Sequence, residues 1–322
     1  MARRAGQRSE PLPLAAQRTA SALGTLLRAF AGEGDRLWTI LPVDPDRLPE
    51  VPGLPAVKLI SGPVPEGEPT LAWGGTAQID ASVNDRRLAA EIAANAGWSL
   101  PGAAVLHSIW AVEKHVADGG ADLAPDGRWV AKSPLSAAGR SRAFGGGPPV
   151  GKAALNRLQR LLNAQDTLVF EPWMERREDY GVAGRVTETG PEDRRAHRLL
   201  SDELGLFRGV EIDPEFREPE LVAEAARTAG EVLHARGYRG PFGVDAWSGR
   251  DADGASILQP LSEINARYTF GHVARKLTER LGLSRATLRI GHGPVPDAPG
   301  VVPLLLPGGE DGTAAWLETD LY

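Results

Sequence analysis

The 322-residue sequence contains no cysteine, which excludes disulfide bonds, cysteine-ligated zinc and thiol nucleophiles. It also contains no apolar run near the roughly 20 residues that a membrane-spanning helix requires. The formal net charge is −6, whereas a nucleic-acid-binding domain normally carries an excess of basic residues. These absences argue against a membrane-spanning protein and against a nucleic-acid partner.

The first segment, MARRAGQRSEPLPLAAQ, is basic but lacks the apolar core of a secretory signal. We therefore expect a cytoplasmic protein that begins with a flexible tail over residues 1–16. The composition is otherwise typical of globular domains, with 42% hydrophobic and 24% charged residues. The 38 glycines and 26 prolines indicate many turns and loops rather than a helical bundle.

A small α/β domain is predicted over residues 17–84. Apolar residues at helical spacing predict a helix over Gln17–Phe30. Three short apolar runs between proline- and glycine-rich links predict strands at Leu37–Leu41, Ala56–Ile60 and Thr70–Trp73. The domain contains no G-x-G-x-x-G turn, so we expect no dinucleotide site in it.

Helices and strands alternate over residues 85–322, which predicts an α/β (α+β) architecture with mixed sheets. Asn84 or Asp85 is placed to cap the first helix, and a charged turn is predicted over Glu175–Asp179. The further predicted helices are Lys152–Ala164, Pro219–Arg236 and Gly271–Leu281, and the principal predicted strands are Trp129–Ser133, Thr167–Trp173, Gly243–Trp247 and Ser256–Ile264.

The most informative stretch is PLSEINARYT, residues 260–269. In an extended strand Glu263, Asn265 and Arg267 would share one face, where burial costs free energy unless each polar group has a partner. Asp245 lies in the preceding predicted strand, GVDAW. Two carboxylates and a carboxamide are hard oxygen ligands that suit magnesium. The alternative for Asp245 alone is a solvated or hydrogen-bonded side chain.

Lys132 lies within an apolar strand, WVAKS, where a lysine is seldom buried without an anionic partner. Extension of its ammonium group to solvent is the alternative. A loop rich in glycine and small residues follows, and it carries Ser136, Ser141, Arg140 and Arg142. Such a loop can settle over phosphate groups.

The segment LVFEPWMERREDYGV, residues 168–182, passes from an apolar strand into charged residues. Trp173 and Met174 next to exposed backbone would suit a flat base, and later carboxylates would suit ribose hydroxyls. Core packing of these two side chains is the favoured alternative for this segment in isolation.

Together, Arg86 in NDR, Lys132 in VAK, EPWM, Asp245 in GVD and the EINAR motif resemble ATP-grasp enzymes over roughly residues 70–282. The likeness is to the carboxylate–amine ligase type, which includes D-alanine–D-alanine ligase. It implies an ATP-grasp fold in which ATP is held between two mixed or antiparallel sheet subdomains. A short N-terminal domain over 17–84 would precede the ATP-grasp domain, 85–322. The lid subdomain would cover about 111–173, and the metal-bearing subdomain about 174–322.

The resemblance also implies roles for individual residues. Those implied for the phosphates are Arg86 and Lys132, with Ser136, Gly139 and Arg140 in the phosphate-covering flap. Those implied for adenine, largely through backbone groups, are Glu171, Pro172, Trp173 and Met174, and ribose would be bound by Glu178 or Asp179. The implied magnesium ligands are Asp245, Glu263 and Asn265, and the implied catalytic residues are Lys132 and Arg267, which would face the reacting groups.

The implied reaction is amide or peptide bond formation from a small-molecule carboxylate and an amine. ATP, with Mg²⁺ or Mn²⁺, would drive it through an acyl phosphate, releasing ADP and phosphate. An amino acid or peptide substrate and a homodimeric assembly are compatible with this expectation. Gly243 stands where the D-alanine ligases have a substrate-binding arginine, so their substrate is not expected here. The alternatives are an ATP-dependent small-molecule kinase and a non-catalytic nucleotide-binding regulatory protein.

Overall fold

The computed structural model describes residues 13–62, 81–135, 141–202, 205–308 and 312–320, without the side chain of Ala81. The chain divides into two compact units, which we call the first and the second unit. The first unit comprises Met1–Gln78, Arg195–Arg217 and Arg267–Tyr322, and the second comprises Ile79–Arg194 and Glu218–Ala266. This division groups residues by their contacts, and the subdomain boundaries implied by the resemblance stay a prediction.

The α-helices of the described residues are α1 (Leu14–Gly24), α2 (Arg86–Asn95), α3 (Ile109–Ala117), α4 (Lys152–Gln165), α5 (Glu220–Ala235) and α6 (Phe270–Arg280). Short 3₁₀ helices cover Thr25–Phe30, Pro45–Arg47 and Ala81–Asn84. Among the residues described, no helix is both long enough and apolar enough to cross a bilayer.

The strands are β1 (Arg36–Thr39), β2 (Lys58–Ser61), β3 (Ala104–Leu106), β4 (Trp129–Lys132), β5 (Arg142–Gly145), β6 (Leu168–Pro172), β7 (Glu175–Val186), β8 (Pro191–Ser201), β9 (Phe207–Ile212), β10 (Gly240–Arg250), β11 (Ser256–Asn265), β12 (Ala286–His292), β13 (Val301–Leu305) and β14 (Thr313–Thr319). The predicted strand at Thr70–Trp73 lies outside the described residues.

The first unit contains a parallel pair, β1 and β2, and an antiparallel series in which β8 from Arg195 onward, β9, β12, β14 and β13 are successive neighbours. Helices α1 and α6 and the 3₁₀ helix over Thr25–Phe30 contribute to its core. That core is formed largely by small and aliphatic side chains, among them Leu26, Leu277, Leu288, Leu304 and Leu317.

The N-terminal α-helix both begins and ends earlier in the chain than the predicted helix over Gln17–Phe30. α1 starts at Leu14, so the prediction of a flexible tail is wrong for residues 14–16, while residues 1–12 lie outside the described part. From Thr25 the chain tightens into a 3₁₀ helix, and the Thr25 hydroxyl donates to the Ala22 carbonyl at 2.6 Å. Gly24 at this change lacks the side-chain restriction that favours a continuous α-helix.

His197 is a buried titratable residue in the first unit. Its side chain is 2% exposed, and its Nδ1 has no hydrogen-bond partner among the described residues. Close packing against Gly271 leaves no space on that side, since a Cβ there would lie 2.2 Å from His197 Cε1. Burial, together with the charges of Arg275 and His272, lowers the pKa of His197 to about 3.

Acid should therefore destabilise the first unit through His197. The unfolded chain takes up a proton near pH 6.5, whereas the folded imidazole stays neutral down to about pH 3. Stability is thus lost as pH falls between these values, by up to about 1.4 kcal/mol per pH unit. The free energy of unfolding can be measured with denaturant at pH 7, 6 and 5. Its slope against pH should be smaller for His197→Leu than for the unsubstituted protein.

His234 provides the matched control for this titration. Its ring contacts the Glu188 carbonyl at 2.9 Å, and this hydrogen bond lies at the surface, whereas His197 is buried. His234→Gln should keep the slope of the unsubstituted protein. Parallel slopes for His197→Leu and the unsubstituted protein would show that His197 is not the residue responsible.

The second unit contains a four-stranded antiparallel sheet in the order β3, β6, β4, β5. Alternation along the strands places Trp129, Ala131 and Phe170 in a core with side chains of α3 and α4. Val130 and Lys132 therefore point to the opposite face of the sheet. Lys132 is thus the one charged residue of the strand sequence WVAK, and it lies on this opposite face.

The second unit also contains β7, β10 and β11 as successive antiparallel neighbours. α5 packs beside them through buried residues at helical spacing: Val222, Ala225, Ala226, Ala229 and Leu233. α2 lies against β11. The predicted α/β (α+β) class and the predicted helices that correspond to α4, α5 and α6 are confirmed.

Candidate functional site

The three predicted magnesium ligands come together on one face of the β10–β11 hairpin. Asp245 and Glu263 are directly opposite each other in the antiparallel register. Directly opposite residues have Cβ atoms about 4.5–5.5 Å apart and share a face. Asn265 lies two residues along from Glu263, and its Nδ2 donates to Asp245 Oδ2 at 3.2 Å.

Local sequence explains why these polar side chains are held in place. Val244 and Ile264 are buried on the other face of the hairpin, and Asn265 itself is 6% exposed. Gly243 is the partner of Asn265 in the register, so no opposing side chain competes with the carboxamide for space. A register shift between Asp245 and Trp247 interrupts the regular pairing next to the acidic pair, and the pairing resumes at Trp247 opposite Gln259.

Arg86 connects this acidic pair to the strand that carries Lys132. Its Nη2 donates to Glu263 Oε1 at 3.0 Å, and its Nη1 donates to the Ser133 carbonyl at 2.9 Å. The Arg86 side chain is 9% exposed, and that of Glu263 is 29% exposed. The predicted phosphate-binding arginine therefore lies in contact with a predicted metal ligand.

Lys132 is paired with Glu171 rather than extended to solvent. Lys132 Nζ lies 2.5 Å from Glu171 Oε2, and both side chains are 16% exposed. The β4–β6 register places Lys132 opposite Val169 and Val130 opposite Glu171, so the two charged residues are diagonal neighbours on one face. The anionic partner that the sequence required for Lys132 is Glu171.

The side chains of the segment predicted to bind adenine differ in their surroundings. Met174 is 4% exposed and packs with Leu100, Ala124 and Trp247, so core packing applies to it. Trp173 has its ring edge against Phe144, with centroids 4.8 Å apart. Pro172 is buried at the end of β6.

The backbone of this strand is also engaged. The Trp173 amide donates to the Arg128 carbonyl at 2.8 Å, so this amide already has a partner. Any contact that Trp173 makes with a base would therefore use its carbonyl or its ring.

The predicted charged turn over Glu175–Asp179 is wrong, because these residues form the start of β7. Local composition suggested a turn, but pairing with β10 continues through Arg250 opposite Glu175 and keeps the segment extended. Consecutive strand residues point to opposite faces, so Glu178 and Asp179 cannot both face the acidic pair. Asp179 is opposite Trp247, which shares its face with Asp245.

The two candidate ribose residues have different partners in the structure. Glu178 accepts from the Tyr180 hydroxyl at 2.9 Å, and that hydroxyl lies 3.2 Å from Ser248 Oγ. Asp179 pairs with Arg176 at 3.1 Å.

Four other predicted site residues remain, and only Arg267 among them is described. Ser136, Gly139 and Arg140 lie outside the described residues. The strand that carries Glu263 ends at Asn265, so the prediction that Arg267 continues its polar face is wrong. Arg267 belongs to the first unit, where its Nη1 donates to the Tyr268 carbonyl at 3.3 Å.

Two features near the site were not predicted from sequence: the contact of Asn84 with the Ala266 backbone and the buried hydroxyl of Ser133. Of the two residues predicted as the cap of α2, Asp85 is the one observed in that role, because its Oδ1 accepts from the Arg87 amide at 2.9 Å. Asn84 instead accepts from the Ala266 amide at 2.8 Å. Ser133 is 1% exposed, and its hydroxyl has no partner among the described residues. No sequence signal links Asn84 to Ala266, because they are 182 residues apart.

A cavity of about 260 Å³ lies between α2, β3, β6 and β11. Arg86 and Glu171 line it together with Gln259 and Leu261. Gln259 Nε2 donates to the Leu261 carbonyl at 2.7 Å, which fixes the orientation of its amide. The cavity therefore adjoins both ion pairs of the site.

Magnesium would need the carboxamide as a ligand in addition to the two carboxylates. Within the described residues, no three histidine, aspartate or glutamate side chains gather as a metal-binding group. Asp245 and Glu263 are directly opposite, and like charges in this position destabilise a sheet. A cation beside them relieves that repulsion, so the donor set fits Mg²⁺ or Mn²⁺ with Asn265 as the third protein ligand.

Comparison with protein-family models and with curated protein sequences finds no match for this chain. Solved structures do match. N5-carboxyaminoimidazole ribonucleotide synthetase from Thermus thermophilus aligns at 15% identity and a TM-score of 0.50, over 74% of this chain and 68% of that one. The biotin carboxylase–β,γ-ATP complex from Campylobacter jejuni aligns at 13% identity and 0.50, over 73% and 61%.

A third structure is the biotin carboxylase domain dimer of Hydrogenobacter thermophilus 2-oxoglutarate carboxylase, in complex with MgADP, ADP and bicarbonate. It aligns at 12% identity and a TM-score of 0.50, over 73% of this chain and 61% of that one. The chain thus spans less than two thirds of both biotin carboxylase chains. At these identities the likeness shows the fold alone, and that fold is the ATP-grasp fold.

Proposed function

We propose that this chain is an ATP-dependent, ADP-forming carboxylate–amine ligase that makes an amide or peptide bond. The observation that carries the proposal is the joining of two sets of residues in the second unit. Asp245, Glu263 and Asn265 form a hard-oxygen set on one face. Arg86 links Glu263 to the carbonyl of Ser133, the residue after Lys132. The buried guanidinium of Arg86 thus contacts both the proposed metal-binding face and the backbone next to Lys132, the proposed phosphate-binding residue.

The bound metal would supply positive charge to the ATP phosphates during phosphoryl transfer. In this proposal Asp245, Glu263 and Asn265 hold it, and Mn²⁺ can replace Mg²⁺ because both accept hard oxygen ligands. The metal would offer Glu263 a second source of positive charge besides Arg86. Arg86 could then contact a phosphate oxygen while keeping its bond to Ser133.

ATP would lie on the face that carries Lys132. The ammonium group of Lys132 would move from Glu171 to a phosphate oxygen, where it stabilises charge on the transferring group. The Glu171–Met174 backbone would bind adenine. We assign ribose to Asp179 rather than Glu178, because Asp179 shares the face of Asp245. The flap roles of Ser136, Gly139 and Arg140, and the role of Arg267 at the reacting groups, stay predictions.

The proposed reaction has two steps. A substrate carboxylate oxygen attacks the γ-phosphorus, the bond to the β,γ-bridging oxygen breaks, and an acyl phosphate and ADP form. An amine then attacks the acyl carbon, loses its proton to solvent and expels phosphate. One oxygen of the carboxylate leaves in that phosphate. Shielding the acyl phosphate from water would prevent its hydrolysis.

The substrate classes follow from this chemistry and from the sequence resemblance. We propose a small carboxylic acid and an amine, with an amino acid or peptide as the first pair to test. Gly243 in place of an arginine argues against the substrate of the D-alanine ligases. A homodimer, the form named for the matching biotin carboxylase domain, belongs to the proposal as well.

The test is a screen for Mg²⁺-dependent release of ADP and phosphate over pairs of amino acids and other small acids. An active pair is then repeated with an oxygen-isotope label in the carboxylate. Transfer of the label to phosphate, dependent on the amine, is the expected result. A stable phosphorylated product without amine would identify a kinase, and nucleotide binding without turnover over the whole screen would identify a regulatory protein.

A further inference from the structure

We propose that Asn84 is a positioning residue for the metal-binding end of β11. Within the described residues, its side chain accepts from the backbone of Ala266, which is not a predicted ligand of ATP or magnesium. Its role is to hold the backbone immediately after Asn265, so that the oxygens of Asn265 and Glu263 are presented together to a divalent cation. The proposal rests on the function proposed above.

The hydrogen bond from Ala266 to Asn84 carries this inference. The Ala266 amide donates to Asn84 Oδ1 at 2.8 Å, and Ala266 is 0% exposed. Since an amide N–H only donates, the orientation of the Asn84 carboxamide is fixed. The pairing of β11 with β10 ends at Asn265 opposite Gly243. The Asn84 bond therefore replaces the missing ladder contact at the next residue.

Arg86, two residues after Asn84, contacts the chain just after β4, the strand that carries Lys132. The Arg86 amide donates to the Pro134 carbonyl at 3.0 Å, and Arg86 Nη1 donates to the Ser133 carbonyl at 2.9 Å. One short segment, Asn84–Arg86, thus holds the end of β4 beside Lys132 and the end of β11 beside Asn265. Hydrogen-bond partners behind metal ligands fix the orientation of those ligands, and their loss commonly weakens metal binding about 10–100-fold.

The experiment measures Mn²⁺ affinity by the paramagnetic resonance signal of free Mn²⁺, in the presence of a non-hydrolysable ATP analogue. Asn84→Ala should bind Mn²⁺ about ten-fold more weakly than the unsubstituted protein. Asn84→Asp keeps the Oδ1 acceptor and should bind at least as tightly as the unsubstituted protein. Hydrogen exchange of the segment 261–266 should be faster in Asn84→Ala only.

Ser108→Ala is the matched control, because Ser108 Oγ accepts from the Ala111 amide at 3.1 Å and caps α3 in the same unit. It should lower stability without changing Mn²⁺ affinity. Unchanged affinity in Asn84→Ala, equal weakening in Asn84→Asp, or weakening in Ser108→Ala would each overturn the positioning role. If Asn84→Ala does not fold, Asn84→Ser, whose hydroxyl cannot reach Ala266, takes its place with the same expectations.

Failure of the positioning role is distinguishable from failure of the proposed function. If the unsubstituted protein binds neither Mn²⁺ nor the ATP analogue, the ligase proposal fails before any variant is compared, and the role of Asn84 fails with it. If the unsubstituted protein binds both and the variants bind equally well, only the role of Asn84 fails.

Discussion

Glu263→Gln should lower the rate of Mg²⁺-dependent ADP formation by about 100-fold or more, since loss of a residue behind a metal ligand already costs about 10–100-fold. Glutamine has nearly the shape of glutamate, and its Oε1 can still accept from Arg86. The substitution therefore removes the negative charge that a divalent cation requires, while it leaves the hydrogen bond to α2 in place. The measurement is the steady-state rate with an active substrate pair.

Stability provides an independent measurement on the same variant. Removing the charge of Glu263 weakens its pair with Arg86 but also relieves the repulsion from Asp245 directly opposite. Because these effects oppose each other and the carboxylate is 29% exposed, the free energy of unfolding should change by less than about 1 kcal/mol. A large rate loss with little loss of stability would identify a role in binding the cation.

Glu211 offers a closely matched control for Glu263. It also lies in a strand, pairs with an arginine at 3.0 Å, and has a side chain that is 27% exposed, compared with 29% for Glu263. Glu211→Gln should keep the rate of the unsubstituted protein. Full turnover in Glu263→Gln, under conditions where the unsubstituted protein is active, would show that the magnesium assignment is wrong.

The placements that sequence predicted correctly depend on short-range pattern. Alternation along β11 places Glu263 and Asn265 on one face, and a short hairpin brings Asp245 opposite Glu263. α5 is recognisable from apolar residues at helical spacing and from Gly237, which follows it. In both cases the deciding interactions join residues that are close in the chain.

The errors arise where distant residues decide the local structure. Glu175–Asp179 has the composition of a turn, yet pairing with β10 makes it a strand, because β10 lies about 70 residues away in sequence and its register is invisible locally. The partner of Asn84 is Ala266, which equally cannot be inferred from the NDR sequence. The extension of the polar strand to Arg267 failed because β11 stops pairing at Asn265 although β10 continues to Gly240, and the next amide, that of Ala266, donates to Asn84 instead.

Lys132→Met should lower the turnover number by about 10²–10³-fold, the usual effect of removing one preorganised group that stabilises transition-state charge. Methionine keeps the length and the apolar part of the lysine side chain, so β4 should retain its packing. The Michaelis constant for ATP should change less than the turnover number, because the lost interaction is strongest with the transferring phosphoryl group. Initial rates over a range of ATP concentrations separate the two constants.

Glu171→Gln distinguishes this role from a structural role of the ion pair. The Lys132–Glu171 pair loses its charge attraction in either variant, so a purely structural pair predicts similar losses of stability and activity for both. If Lys132 acts on the phosphates, only its own replacement removes the cation from the reacting groups. Glu171→Gln should then retain activity within about ten-fold, since the proposed contact of Glu171 with adenine uses its backbone. Equal rate losses in the two variants would assign the pair to the stability of the sheet, and the phosphate-binding cation would have to be sought elsewhere.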